Sequence, residues 1–294
     1  RYPIGAELVE GGVSFRVWAP DHRSVEVVLD NGKRHSLLSE DGGYWSATVV
    51  GIGEGARYSF ALSEHDGLLP DPCSRFQPNG VAGPSVVISP GDFQWSDAGW
   101  EGPGREAVYY ELHVGTFTAQ GTYAAAAGKL EWLRDLGVSV IELMPLNSWA
   151  GTFGWGYDGV LLFAPTANYG EPDDLRRFVD RAHALGLGVI LDVVYNHFGP
   201  GEICPRFAQD FYSRRPPNEW GKSMNFDGPN SAPVREFFCT NAAYWIDEFH
   251  FDGLRIDATQ ALLDDSPKHI IVEIGEAARA AAGRRAILLV SENE

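Results

Sequence analysis

Short alternating runs of apolar and polar residues fill the first 89 positions, and the period changes after residue 105. Val13-Ser14-Phe15-Arg16-Val17-Trp18 and Val25-Glu26-Val27-Val28-Leu29 place apolar side chains at nearly every second position, the spacing of a half-buried strand. Asn31-Gly32, Asp41-Gly42-Gly43 and Gly51-Ile52-Gly53 separate such runs as hairpin turns. A strand and its turn take about ten residues, which predicts an all-β sandwich over residues 1–89. Such a sandwich is expected to close its own core and to fold alone. A linker rich in Gly, Pro and Trp, 90–104, follows it.

From 105 to 294 strands alternate with helices. Strands are expected at 108–114, 138–144, 189–195, 254–258 and 286–290, and helices at 123–136, 173–185, 233–249 and 268–282. Gly137 and Gly186 stand where two of the helices should stop, and Pro233 opens another at its first turn. The 189–195 run is almost wholly apolar, as in a strand buried on both faces. This order predicts a parallel sheet, and the absence of a Gly-x-Gly-x-x-Gly turn after the first strand favours a (β/α)8 TIM barrel over an open doubly wound sheet. The fold class is therefore α/β, a barrel preceded by an all-β sandwich. Residues 196–230 interrupt the alternation after the third strand, and a loop of that length at a strand's carboxyl end is expected to serve function.

Composition narrows the partners. A formal net charge of -17 and a pI near 4.8 argue against nucleic acid and anionic membrane, both of which reward clustered Lys and Arg. A neutral substrate is compatible with that charge. Cys73, Cys204 and Cys239 are widely spaced and odd in number, which suggests reduced cytosolic thiols rather than a disulfide framework or a metal site. The first residues lack the apolar run of a signal peptide, and no later run reaches the ~20 residues a membrane span needs. A cytoplasmic protein is the expectation.

Candidate chemistry gathers at the predicted strand ends. Arg255 and Asp257 are two apart, so they share a face, and a carboxylate beside a guanidinium is expected to stay ionised, as a nucleophile must. Asp192 with Asn196-His197 ends the third strand and Glu292 the fifth. Two carboxylates on neighbouring strand tips can approach the ~5–5.5 Å of a retaining glycosidase. Glu294 shares a face with Glu292, so alternation alone does not choose between them. Asp192 is either a brace for Arg255 or a sugar ligand. Tyr157 and Trp155, in a Gly-rich loop, are candidate sugar platforms, Asp158 caps a turn or touches substrate, and His113 reads as a packing residue.

Asp192-Val193-Val194-Tyr195-Asn196-His197, Gly253-Leu254-Arg255-Ile256-Asp257-Ala258 and Ser291-Glu292 resemble, in order and spacing, the first three signature regions of the α-amylase superfamily, glycoside hydrolase family 13. The resemblance implies Asp257 as nucleophile, Glu292 as general acid/base, Arg255 as the partner that orients Asp257, and His197 as a donor to the bound sugar. It also implies hydrolysis with no cofactor and no metal. Glu111-Leu112-His113, Trp155-Gly156-Tyr157-Asp158-Gly159-Val160 and Met224-Asn225-Phe226-Asp227-Gly228 resemble the trehalose-releasing group of that family. That group implies a neutral α-glucan oligosaccharide, maltooligosyltrehalose, as substrate, with trehalose released from its end. The branching and debranching groups usually carry Gln or Asn where Asp158 stands. They remain the alternative, with action on α-1,6 linkages, as does a non-catalytic glucan-binding protein on a degenerate barrel. The family's fourth signature region would follow a seventh strand, beyond residue 294. The sequence reads as a barrel truncated after about the fifth strand, expected to be inactive by itself.

Overall fold

A computed structural model describes residues 2–104 and 106–293; Arg1, Glu294 and the expected barrel start at Arg105 lie outside the described residues. Nine strands form the N-terminal part: β1 (Gly5–Val9), β2 (Gly12–Trp18), β3 (Val25–Leu29), β4 (Arg34–Ser36), β5 (Leu38–Ser39), β6 (Tyr44–Val50), β7 (Arg57–Leu62), β8 (Leu68–Leu69) and β9 (Ser85–Val86). They make two antiparallel sheets, β1-β2-β6-β5 and β4-β3-β7-β8, with β9 on the free stretch of β7. Val13, Phe15 and Val17 point into the space between them while Arg16 stays half-buried, which is the alternation the sequence carries. Gly51 turns β6 back with a φ of 77°, a conformation that a side chain would strain.

The second part contains β10 (Tyr109–Leu112), α1 (Val114–Phe117), α2 (Tyr123–Ala127), α3 (Leu130–Asp135), β11 (Val140–Leu143), β12 (Asn147–Ser148), β13 (Leu161–Pro165), α4 (Pro172–Ala184), β14 (Gly188–Val193), α5 (Cys204–Phe207), α6 (Ser231–Glu248), β15 (Gly253–Ile256), α7 (Ile270–Ala282) and β16 (Leu288–Ser291). β10-β11-β14-β15-β16 pair in that order, all parallel. The five expected strands are present: β10 and β11 are shorter at both ends, β14 and β15 begin one residue earlier and stop two earlier, and β16 begins two later and ends one later.

Three local expectations change. The helix read at 123–136 is two helices, interrupted at Gly128 and Lys129, where glycine's low helix propensity lets the chain turn. β12 and β13 form a hairpin the apolar pattern did not announce: β13 is buried at all five residues, so it carries no alternation to read. The 196–230 segment is only partly irregular, since it holds α5, a 3-10 turn at Gln209–Phe211 and a bridge between Tyr212 and Met224.

The sandwich does not close its own core. Val160, Leu161 and Ala164 from the β13 region, and Ile203 and Phe207 from the long segment, sit in the same buried cluster as Val27, Phe60 and Leu62. The Phe60 and Phe207 rings meet edge-on, 5.8 Å apart. Ionic contacts reinforce the joint: Arg75 pairs with Glu7 and, at 3.3 Å, with Glu248, while the Arg176 Nε donates to the Glu248 carbonyl at 3.2 Å. Burial pushes the Glu248 carboxyl up to about 7 against the pull of both arginines. The linker is pinned as well. His183 lies between Asp97 and Asp252, 2.8 Å from each, and Trp100 donates to Asp252 at 2.7 Å.

A shared core predicts a shared stability. Phe207→Ala should destabilise the chain by about 3 kcal/mol in urea denaturation, the usual cost of truncating a buried ring. Limited proteolysis should leave no resistant piece ending near Ser89, because that piece would bare Phe60 and its neighbours; a stable 1–89 fragment would refute the shared core.

Candidate active site

Parallel register builds the site. Glu111 lies opposite Glu142, Glu142 opposite Ile190, and Asp192 opposite Arg255. Side chains two apart share a face, so Glu111, Glu142, Asp192, Arg255, Asp257 and Glu292 all belong to one face near the carboxyl ends of five adjacent strands. Backbone bonds extend the ladder past the strands: the Asp257 N–H donates to the Val193 carbonyl at 3.0 Å and the Glu292 N–H to the Ile256 carbonyl at 3.1 Å.

Arg255 is the hub. Its Nη1 donates to both oxygens of Asp192, at 3.0 and 2.9 Å, and to Asp257 Oδ1 at 2.7 Å, and its Nη2 reaches Glu292 Oε1 at 2.8 Å. Burial would lower its pKa, and the carboxylates outweigh that, holding it above its usual value. Asp192 has no exposed side-chain surface and accepts a further bond from the Tyr157 hydroxyl at 2.8 Å. Burial pushes it up to about 7, against Arg255 and Tyr157, with Asp257 adding to the rise. Asp192 thus holds Arg255 on one side and Tyr157 on the other.

Asp257 sits above the usual carboxylate range. Burial is the larger cause, Arg255 opposes it, and the neighbouring Glu292 raises it again. Arginine therefore does not dominate here, contrary to the expectation from its proximity in sequence, because Asp257 is also partly desolvated and faces a second acid. Ala258, next in the chain, adopts a left-handed φ of 43° and donates its N–H to Glu292 Oε2 at 2.8 Å. A non-glycine residue in that region costs ~1 kcal/mol or more, and here the strain coincides with the amide that anchors Glu292.

The remaining candidates divide. His197 donates from Nε2 to the Tyr157 carbonyl at 2.9 Å, which leaves Nδ1 buried and unpartnered; in a neutral ring Nδ1 accepts rather than donates. Gly199 allows that approach, since a Cβ there would overlap the Asp158 carbonyl. Tyr157 joins the cluster through Asp192. Trp155 is 72% exposed and Asp158 is exposed, so both stand at the rim rather than beside Arg255. His113 packs, as expected, with Nε2 2.9 Å from the Gly154 carbonyl and 2.8 Å from the Tyr169 hydroxyl.

Sequence reasoning overlooked Glu142 and the inward aim of Glu111. Both precede the leucine that ends their strand, a parity that could have marked them. Burial raises Glu142, Glu111 adds to it, and Arg255 opposes. Carboxylate oxygens of Glu111, Glu142 and Asp192 lie within 4.8 Å of one another, a geometry able to take a metal ion, although Asp192 is already bound to the Arg255 cation.

Removing the hub tests the electrostatics. Arg255→Met leaves three carboxyls without their cation and should cost about 3 kcal/mol at pH 7.5. In the variant the folded pKa values of Asp192, already about 7, and of Asp257, already raised, lie further above the unfolded ones. The contribution of these two acids is then fully present below about pH 4 and lost as pH rises through about 7 and above, so the deficit against wild type should shrink at acid pH. Urea denaturation at pH 4.5 and 7.5 reads the difference.

Known proteins share this architecture. The family profile described as alpha amylase, catalytic domain, matches residues 59–232, and carbohydrate-binding module 48, the isoamylase N-terminal domain, matches residues 3–78. The chain is 44% identical over 275 residues to the malto-oligosyltrehalose trehalohydrolase of Saccharolobus solfataricus, covering 93% of this chain and 48% of that protein. It is 44% identical to the protein of the same name from Deinococcus radiodurans, over 98% of this chain and 48% of that one. A solved structure from Salmonella typhimurium, described as a candidate alpha amylase, superposes with a TM-score of 0.93 at 41% identity, over 100% of this chain and 50% of that one. The chain thus spans about half the length of the curated relatives it matches. With an α-amylase catalytic profile across the segment that carries Asp192 and His197, and a carbohydrate-binding-module profile before it, the chain belongs to the alpha-amylase family.

Proposed function

We propose that the protein to which this chain belongs is a retaining glycoside hydrolase that cuts the α-1,4 bond beside the terminal trehalose unit of maltooligosyltrehalose. The observation that carries this reading is the single guanidinium of Arg255 joined to Asp192, Asp257 and Glu292. The names of relatives 44% identical to the chain support the trehalose-releasing specificity. On this reading the five parallel strands belong to a (β/α)8 barrel.

Asp257 attacks the anomeric carbon while Glu292 protonates the departing glucosidic oxygen; Glu292 then takes a proton from water, which releases the sugar from Asp257. Arg255, bonded to Asp257, opposes burial and favours the ionised form that a nucleophile needs. Asp192 and the Tyr157 hydroxyl hold Arg255 in place from below. His197 meets the sugar at the cleavage point, with Trp155 and Asp158 contacting the chain at the rim.

Incubating the full-length protein with maltooligosyltrehalose, a maltooligosaccharide and a branched glucan should give free trehalose from the first and far slower turnover of the others. Asp257→Asn should lower kcat by about a thousandfold or more with little change in Kd, since the amide keeps the shape and loses the nucleophile. A variant that keeps a tenth of the activity would remove Asp257 from that role. Glu292→Ala should recover its first step with a glycosyl fluoride, which needs no protonation to leave, and Glu294→Ala should need no such rescue.

A further inference from the structure

The N-terminal part matches a carbohydrate-binding module, yet its surface is poorly made for sugar. Glucan chains are held on open aromatic faces, against which the apolar faces of the rings pack. Among the described residues 2–89 no Phe, Tyr or Trp is exposed; the large apolar residues that are exposed there are Leu8, Leu38, Val50 and Leu68. The aromatic rings of this module are spent on interior contacts instead, and several of those contacts lead to one place.

That place is the segment 203–212, part of the long excursion that follows His197. The Gln209 N–H donates to Asp21 Oδ2 at 2.8 Å, and His22 Nε2 lies 2.9 Å from the Arg206 carbonyl. Trp18 packs edge-on against Phe211 with ring centres 5.2 Å apart. Phe211 in turn meets Phe198 at 6.1 Å, and Phe198 is bonded to His197 in sequence. A continuous series of packed rings therefore runs from the sandwich to the backbone of a candidate sugar contact. The two hydrogen bonds near its start fix the segment's height and register, which ring packing alone leaves free.

We propose that the sandwich acts as a positioning device for segment 203–212, and through Phe211 and Phe198 for His197, rather than as a glucan-binding surface. Asp21 and Trp18 are its positioning residues. This rests on the functional reading above only in taking His197 as a sugar contact.

Asp21 is exposed, so replacing it leaves the fold intact. Hydrogen–deuterium exchange of the whole chain, read by mass spectrometry, compares wild type with Asp21→Ala and Asp21→Asn. Asp21→Ala should speed exchange about tenfold in peptides covering 203–212 and 196–199, with β2 and β6 unchanged, and Asp21→Asn, which retains an acceptor oxygen, should restore wild-type rates. Unchanged exchange across 196–212, or equal loosening of the sandwich strands, would overturn the proposal. The same measurement with maltoheptaose should show protection at 155–158 and 196–199 and none across β1–β9. Protection on the sandwich strands would also overturn it. Absence of protection anywhere would count against the glucan reading and leave the positioning role to be decided by the Asp21 variants.

Discussion

One guanidinium holds the site together. Arg255 reaches acids on its own strand and on both neighbouring strands. Three acids at this distance repel one another, and a partly buried setting weakens the screening that would make such a group tolerable. Their separation is therefore set by where Arg255 points. Its direction is set by Asp192, which is wholly buried and is itself held by Tyr157. Rigidity thus passes from a buried acid, through the arginine, to Asp257 and Glu292.

Strain and charge meet at the next residue. Ala258 takes a backbone conformation that favours glycine, and its amide is the second anchor of Glu292. The surrounding contacts impose this: the Thr259 N–H and hydroxyl both bond to the Glu292 carbonyl, so the two strand ends are tied by backbone as well as by side chains. Conformational cost at this point is tolerated because several independent bonds over-determine it.

The joint between the two parts follows the same logic on a larger scale. Apolar residues of the β13 region and of the long segment after His197 complete the sandwich core, and the buried Glu248, Arg75 and Arg176 lie across the same boundary. An interface that is both apolar and ionic resists sliding, because each buried charge has its partner in one register only. The active-site segment rests against this joint, so its position is inherited from the sandwich as much as from the sheet.

Much of this was legible in the chain. Period-two alternation identified β2 and β3, glycines stopped helices where they were expected, and the almost wholly apolar run before Tyr195 became the central strand β14. Alternation also required Arg255 and Asp257 to share a face. Sequence did not reveal β13, whose burial on every side erases its period, nor the break at Gly128, nor Glu142 and Glu111, which become neighbours of Asp192 only through strand pairing. It did not show that burial and the approach of Glu292 raise the Asp257 carboxyl, because both are properties of the assembled strands. It also separated two parts that share one core. Local spacing determines which side chains can lie on one face; which faces meet, how deeply they are buried and which charges end up opposed depend on contacts between distant segments, and only the tertiary structure decides those.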